Sequence, residues 1–293
     1  MSPLDLGVAM LVVALWGINF GVAKVALLEF PPLFLMGMRF IIVAGLLLPF
    51  VRMPRGKLLG VLALSTILGT VHFPMMFNGI KGIDAATASV VAQLQVPFAS
   101  LLAAIVFKDR LGWKRAAGML VAFAGVMLIA GEPRLGDSLG ALGLVVAASF
   151  AFAAANVQIK RLGNIDGFAL NAWMGLFAAP QLLVLSALFE RGQWEAVRNA
   201  TWAGWGALLY IAVLATIVAY GLWYRLMRRY DVNQAVPFML LIPLFGVLSG
   251  VVLLGEPVTW TLAVGGLMTV GGVGIIVLRR PRVVVNDKVT NLT

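Results

Sequence analysis

The chain has 293 residues, of which 61% are hydrophobic and only 12% charged, with 22 Lys and Arg against 12 Asp and Glu. Its mean hydropathy of +1.00 means more apolar surface than a soluble core of this size can bury, so lipid must solvate most of it. The net charge of +10 does not mark a nucleic-acid binder, because the basic residues fall in small clusters between apolar runs rather than along one face.

An apolar stretch of about 20 residues crosses the hydrocarbon core as a helix. Ten such stretches follow in chain order, at roughly 5–28, 33–51, 58–80, 84–107, 114–131, 138–159, 168–189, 203–224, 232–254 and 260–278. An all-α integral membrane protein is therefore expected, with connections too short for a soluble domain. The first run is too long for a signal-peptide core and lacks a basic leader, so it is expected to remain as a span. Basic residues gather in alternate loops: Arg52, Arg55 and Lys57; Lys108, Arg110, Lys114 and Arg115; Lys160 and Arg161; Arg225, Arg228 and Arg229; and Arg279, Arg280, Arg282 and Lys288 in the tail. Positive charge stays cytoplasmic. Both termini are thus expected inside, which an even number of spans also requires.

The two halves of the chain repeat. Asp84-x3-Ala88 recurs as Asp231-x3-Ala235, Trp113 as Trp260, Gly118 as Gly265 and Gly125 as Gly272, all offset by 147 residues. Pro97 and Pro243 fall one residue off that register, and Leu-Val-Val-Ala at 11–14 returns at 144–147. The expected units are 1–132 and 137–293, five spans each, with a short cytoplasmic tail from about 280. Five is odd, so the second unit must enter the membrane from the opposite side. Gly118 and Gly125 share one face of span five, as Gly265 and Gly272 do in span ten. Together with Gly17-x3-Gly21 and Gly246-x3-Gly250 they suit close helix approach, either inside one monomer or between two copies.

Candidate site residues follow in the same order. On span one, Trp16, Asn19, Phe20 and Ala23 share a helix face, either as cavity wall or as a core stripe with Asn19 bonded between helices. Lys24 and Arg39 lie toward the external ends of spans one and two, either snorkelling to the interface or guiding a substrate carboxylate. His72, the only histidine, and Asn78 lie in span three; the histidine is a proton-sensitive site group or a neutral bonded one. Pro97 lies about 20 Å into span four and Pro243 about 18 Å into span nine, both near mid-membrane. Proline removes an amide hydrogen, so the carbonyls of Gln93 and Met239 are expected to seek other donors, with a wet cavity as one solution and a packing kink as the other. Gln93 adds an amide at that level, with Ser89 and Ser100 near its face and Gln95 pointing elsewhere. Span six offers Ser149, Phe152 and Asn156; span seven, Trp173; span eight, Tyr210 and Tyr220, with Trp223 and Tyr224 expected in the aromatic belt at the cytoplasmic interface.

Several of these motifs carry a family resemblance. The doubled five-span unit, Trp16-Gly17-x-Asn19-Phe20 followed by Lys24, the Pro97 segment ending in Lys108-Asp109-Arg110-Leu111, and Pro243 followed by Gly255-Glu256-Pro257-Val258 resemble the EamA-type transporters of the drug/metabolite transporter superfamily. Within it the chain looks most like the YddG-type bacterial amino-acid exporters. The resemblance implies a ten-helix basket around a central cavity lined mainly by spans one, three, four, six, eight and nine. It also implies residence in the bacterial inner membrane and amino-acid export, with aromatic or large neutral amino acids expected as cargo.

What is missing discriminates among cargoes. No Asp or Glu lies near the middle of any span, where a polycation pump would be expected to place one, and no Lys/Arg cluster sits there for a sugar phosphate. A nearly neutral midplane with amides and aromatics favours a neutral or zwitterionic cargo. A membrane-embedded enzyme needs acid, base, nucleophile or metal ligands in mutual reach, and one histidine with no cysteine does not supply them. A broad drug or metabolite exporter is the alternative within transport. No catalytic residue, cofactor or metal is expected; the expected partners are a small-molecule substrate and the lipid bilayer, not nucleic acid, with the monomer as the working unit.

Overall fold

Ten helices of 18 to 28 residues, each long and apolar enough to cross a membrane, make up the computed structural model, which describes residues 1–106, 108, 112–163, 165–230 and 232–278. The Asp109-Arg110-Leu111 part of the first-half motif, Asp231 of the repeat and the basic tail from 279 lie outside the described residues. The spans are Pro3–Glu29, Pro32–Phe50, Leu58–Gly82, Ala85–Val106, Trp113–Ala130, Leu135–Leu162, Gly167–Phe189, Trp202–Arg229, Pro237–Leu254 and Trp260–Val277, numbered one to ten. Span eight runs five residues beyond its expected end at 224, which matters for the site below.

Local chemistry starts several of these helices. Ser2 Oγ accepts from the amide of Asp5 at 3.2 Å with Pro3 opening the first turn, and Asp166 Oδ1 accepts from Phe168 and Ala169 at 3.0 Å at the start of span seven. Thr201 and Thr259 do the same for spans eight and ten. Each cap satisfies amide donors that a helix start leaves unpaired, worth about 1 kcal/mol apiece. Outward faces carry large apolar side chains such as Leu28, Phe50, Leu59, Trp202 and Leu267, which suits lipid rather than water.

The helices pack as an inverted repeat requires. Exchanging the halves turns span one into six, two into seven, three into eight, four into nine and five into ten. Spans five and ten pack on each other, as do two and seven, so each pairs with its own counterpart. Span one packs on nine and its counterpart six packs on four; three packs on six, and eight on one. The pairing survives the exchange. That is the expected fold.

Glycine makes two of these seams. A Cβ on Gly125 would meet the carbonyl oxygen of Gly265 and the backbone of Thr269, and one on Gly118 would meet Gly272. Gly17 and Gly21 give the same close approach to Phe245, Gly246 and Ser249 of span nine. Both glycine pairs are thus consumed within one chain. Because backbone cannot yield as a side chain can, Gly125→Val is expected to lose about 3 kcal/mol or more and most monodisperse protein in detergent. Gly143→Val, where a Cβ meets nothing within 4 Å, is the neutral control. Equal thermal stability of the two variants would refute this account of the seam.

Helix distortions also come in symmetric pairs. Spans three and eight each contain a π-helical segment, Ser65–His72 and Tyr210–Val218. Thr70 and Thr216 donate to the carbonyls five residues earlier, Ser65 and Ile211, at 3.4 and 2.7 Å. Pro74, which has no amide to give Thr70, follows the first of these segments. Spans four and nine tighten instead, into 3-10 turns at Ala92–Leu94 and Val236–Leu241 just before Pro97 and Pro243. Of the two solutions expected for the carbonyls that the prolines free, the helix itself supplies one. The Gln93 carbonyl accepts from the Gln95 amide and the Met239 carbonyl from the Ile242 amide, so tightening of the helix, not a cavity, satisfies them.

Candidate functional site

Between the halves lies a cavity of about 1230 Å³, walled chiefly by spans one, three, four, six and eight. At one end are Phe77 and Ile80, buried near the external end of span three. At the other are Arg115, Asp166 and Arg228, on the side of the basic loops, where Asp166 and Arg228 are exposed and paired at 3.5 Å. The cavity therefore opens to the cytoplasm and is closed outside. Trp16, Asn19, Phe20, His72, Gln93, Asn156 and Tyr220 line it.

Aromatic rings from spans one, three, six and eight share the wall with aliphatic side chains. Trp16 meets Tyr220 edge-on at 5.1 Å and Trp223 at 5.6 Å, and its Nε1 donates to the Ala215 carbonyl at 3.0 Å, which fixes the indole against span eight. His72 packs on Phe73 and Phe152, with ring centroids 4.7 and 5.2 Å away. Its Nδ1 lies 2.8 Å from the Ala148 carbonyl. A carbonyl can only accept, so Nδ1 carries a proton, and the tautomer this selects for the neutral ring leaves Nε2 as an acceptor.

Amides separate the cavity from the rest of the membrane interior. The described spans contain eight Asn or Gln side chains. Four lie outside the cavity and all are bonded: Asn78 to the Pro74 carbonyl, Asn171 to the Tyr224 hydroxyl, Gln158 to the Gly60 carbonyl and Gln181 to Ser65, Thr70 and Phe177. The other four, Asn19, Gln93, Gln95 and Asn156, line the cavity, and no described residue hydrogen-bonds their side chains. Asn19 Oδ1 is buried and lacks any partner. Gln93 and Asn19 Oδ1 are buried, whereas Gln95 is half-buried and Asn156 exposed toward the mouth; buried polar groups are nearly always paired, so the two inner amides call for a polar guest or water.

Five expected cavity residues lie elsewhere. Asn78 is turned back on its own helix and borders a separate hollow of about 690 Å³ on the external face, beside Lys81 and Glu190. Trp173 packs on Phe177 at 6.2 Å, and the Tyr210 hydroxyl donates to the Leu15 carbonyl at 2.9 Å, tying span eight to span one. Pro97 and Pro243 are buried behind the wall, while Gln93 and Met239, one turn earlier in each span, face the cavity. Ser89 turns toward Gly246 and bonds the Ala86 carbonyl, whereas Ser100 does line the hollow.

The two cations differ from each other. Lys24 pairs with Glu256 at 3.6 Å and donates to the Ile83 carbonyl, so it seals the external end instead of guiding cargo. Arg39 does not snorkel: it is 6% exposed and bonds Thr216 at 2.9 Å. Missed residues include Gln95, Trp223 and Tyr224, all of which line the cavity. Trp223 misled because span eight continues to Arg229, which carries the indole well inside the interface. Phe73, Met76, Phe77 and Ile80 also line it, at i, i+3, i+4 and i+7, a one-face stripe that was readable in advance.

Ten spans in two exchanged halves around a hollow open to one side define a membrane carrier. The chain belongs to the EamA-like transporter family, whose model matches it twice, at residues 5–131 and 139–278. It is 34% identical to a protein of Salmonella typhimurium described as a "probable amino-acid metabolite efflux pump", over 94% of this chain and 95% of that one. An Escherichia coli protein of the same description is 33% identical over 94% and 95%. One crystal structure, 20% identical, superposes with a TM-score of 0.63 over 92% of this chain and 95% of the other, which supports the fold alone. The protein is a multi-pass membrane transporter and not an enzyme.

Proposed function

We propose that the protein exports amino acids and related small metabolites across the bacterial inner membrane by alternating access between the repeats at 1–132 and 137–293. The observation that carries this reading is the set of four amides, bonded by no described residue, in a largely apolar hollow. An amide both donates and accepts, so it serves an ammonium and a carboxylate alike. Trp16, Phe20, Phe73, Phe152 and Tyr220 supply ring faces and edges for an apolar side chain. Asn19, Gln93 and Asn156 hold the polar end, and His72 Nε2 accepts from the ammonium. The descriptions of the two bacterial relatives support the cargo class and the outward direction. A single copy is the proposed working unit, since both glycine seams are used within it.

A wider cargo range is the second reading, favoured by volume. About 1230 Å³ exceeds the usual range for drug-sized ligands of about 300–1,000 Å³. Purified protein in proteoliposomes, assayed for labelled amino acids with and without a pH gradient, tests both. Saturable flux of large neutral amino acids, competed by other amino acids and not by bulky drugs, is the expected result. Drugs competing as well as amino acids would favour the wider reading, and no amino-acid flux would end the narrower one.

A further inference from the structure

Arg39 is a charge that the site so far leaves unexplained. It lies seven residues into span two, about 10 Å below the external end, and is 6% exposed. Nη2 donates to Thr216 Oγ1 at 2.9 Å, Nη1 stands 3.7 Å from Met36 Sδ, and Nε has no partner. Cζ lies 4.3 Å from the Phe73 ring centroid and 5.2 Å from that of Phe40. Among the described residues no carboxylate lies within ion-pair distance of it. A guanidinium does not deprotonate in proteins. One hydroxyl and two ring faces soften its burial without neutralising it, and an ionised group inside a membrane normally has a counter-charge.

The position of that charge points to the missing partner. Phe73, one ring away, is part of the cavity wall; Tyr220, one turn beyond Thr216, is another part. The charged residues that line the cavity itself are Arg115, Asp166 and Arg228, all at the cytoplasmic mouth, with Asp166 engaged by Arg228 at 3.5 Å. Inside the mouth the described residues make a neutral wall, with one positive charge behind it and, among them, no negative one.

We infer that Arg39 sets the charge selectivity of the cavity: it acts through the wall at Phe73 and Tyr220 to favour cargo bearing a free carboxylate and to disfavour cargo that is only cationic. The inference builds on the proposed reading of the cavity as a cargo site and narrows its substrate class. Arg39 is a positioning charge and not a contact residue. The amides make the contacts, and the field decides which end of a zwitterion lies against Phe73 and Tyr220. A decarboxylated amine would meet a like charge and find no counter-ion.

The test compares matched ligands on the full-length protein: phenylalanine, phenylalaninamide and phenethylamine, and also 3-phenylpropionate with its amide. Binding is read by the fluorescence of the cavity tryptophans and by thermal shift. Wild type is expected to prefer each acid over its amide by about tenfold, the effect of one unit charge across roughly 10 Å of partly polar medium. Arg39→Lys should keep most of that preference and Arg39→Gln should lose it, while binding of the neutral amide of phenylpropionate stays unchanged. Wild type that binds acid and amide equally overturns the inference, even if Arg39→Gln fails to fold, and so does an Arg39→Gln protein that keeps the preference. If phenylpropionate is preferred over its amide but no amino acid binds, the amino-acid reading fails and the Arg39 inference stands.

Discussion

Glu256→Gln is expected to unlock the external face while leaving the ten-helix fold in place. Glu256 is 8% exposed, and its Oε1 and Oε2 accept from the amides of Ala85 and Ala86 at 2.8 and 2.9 Å, the first turn of span four. Lys24 of span one completes the site at 3.6 Å and also holds the Ile83 carbonyl. One carboxylate thus joins span one, the start of span four and the turn after span nine. Gly255, at φ +66°, provides the left-handed residue that ends span nine and brings the glutamate back over it. Hydrogen bonds to a charged acceptor are worth about 1.5–3 kcal/mol each, and a helix N-terminus favours negative charge. Glutamine keeps one acceptor, loses the charge and turns an NH2 toward an amide donor. A shift of about 3 kcal/mol toward outward opening, roughly a hundredfold in population, is the expected scale. The chain has no cysteine, so a single introduced thiol reports without background. Ala23→Cys, fully buried in the closed form, should react with an external impermeant maleimide at least about tenfold faster in the Glu256→Gln background. Unchanged labelling would place the external seal elsewhere.

Asn19→Leu and Gln93→Leu should each abolish most transport yet leave the protein as stable as wild type or more so. Most buried polar groups lose stability when replaced, because a bonded partner is stranded. Here no described residue is a partner: Asn19 Oδ1 is buried and unbonded, and nothing described bonds the Gln93 side chain, which is 3% exposed. Replacing an unpaired amide by an apolar group of similar size removes a desolvation cost of about 1–3 kcal/mol. Flux in proteoliposomes is expected to fall tenfold or more, the scale of one or two lost polar contacts to cargo. Thermal unfolding in detergent provides the second measurement. Asn78→Leu is the contrast, since its amide bonds the Pro74 carbonyl and it should lose stability without losing flux beyond that. Loss of stability in Asn19→Leu together with normal flux would reassign that residue to packing.

Much of the architecture could be read before any coordinates. The repeat register at Asp84, Trp113, Gly118 and Gly125 led to inverted halves, and the glycines of spans five and ten do meet backbone to backbone. The Trp16, Asn19, Phe20 stripe faces the hollow because helical spacing alone puts those side chains on one side of span one. Errors gathered where helical geometry was irregular or where the partner was remote in sequence. Regular helix spacing points Gln95 elsewhere, but the 3-10 turn at Ala92–Leu94 comes between and Gln95 lines the wall. A span ending at 224 puts Trp223 at the interface, whereas the span continues to Arg229 and carries it inward.

Composition and periodicity by themselves determined that this chain lives in lipid, crosses it ten times in two opposed halves, and keeps acid away from mid-membrane. Those are properties of residue type and spacing, which local chemistry and the bilayer thickness suffice to interpret. Only the tertiary structure decided which amides are satisfied and which wait on the cavity, that Lys24 belongs to the seal, and that Arg39 has no counter-charge among the described residues. Each of these depends on groups far apart along the chain, such as Glu256 with Ala85 and Arg39 with Thr216. Hydrogen bonds and ion pairs act over a few ångströms, so their partners are known only once the helices are packed.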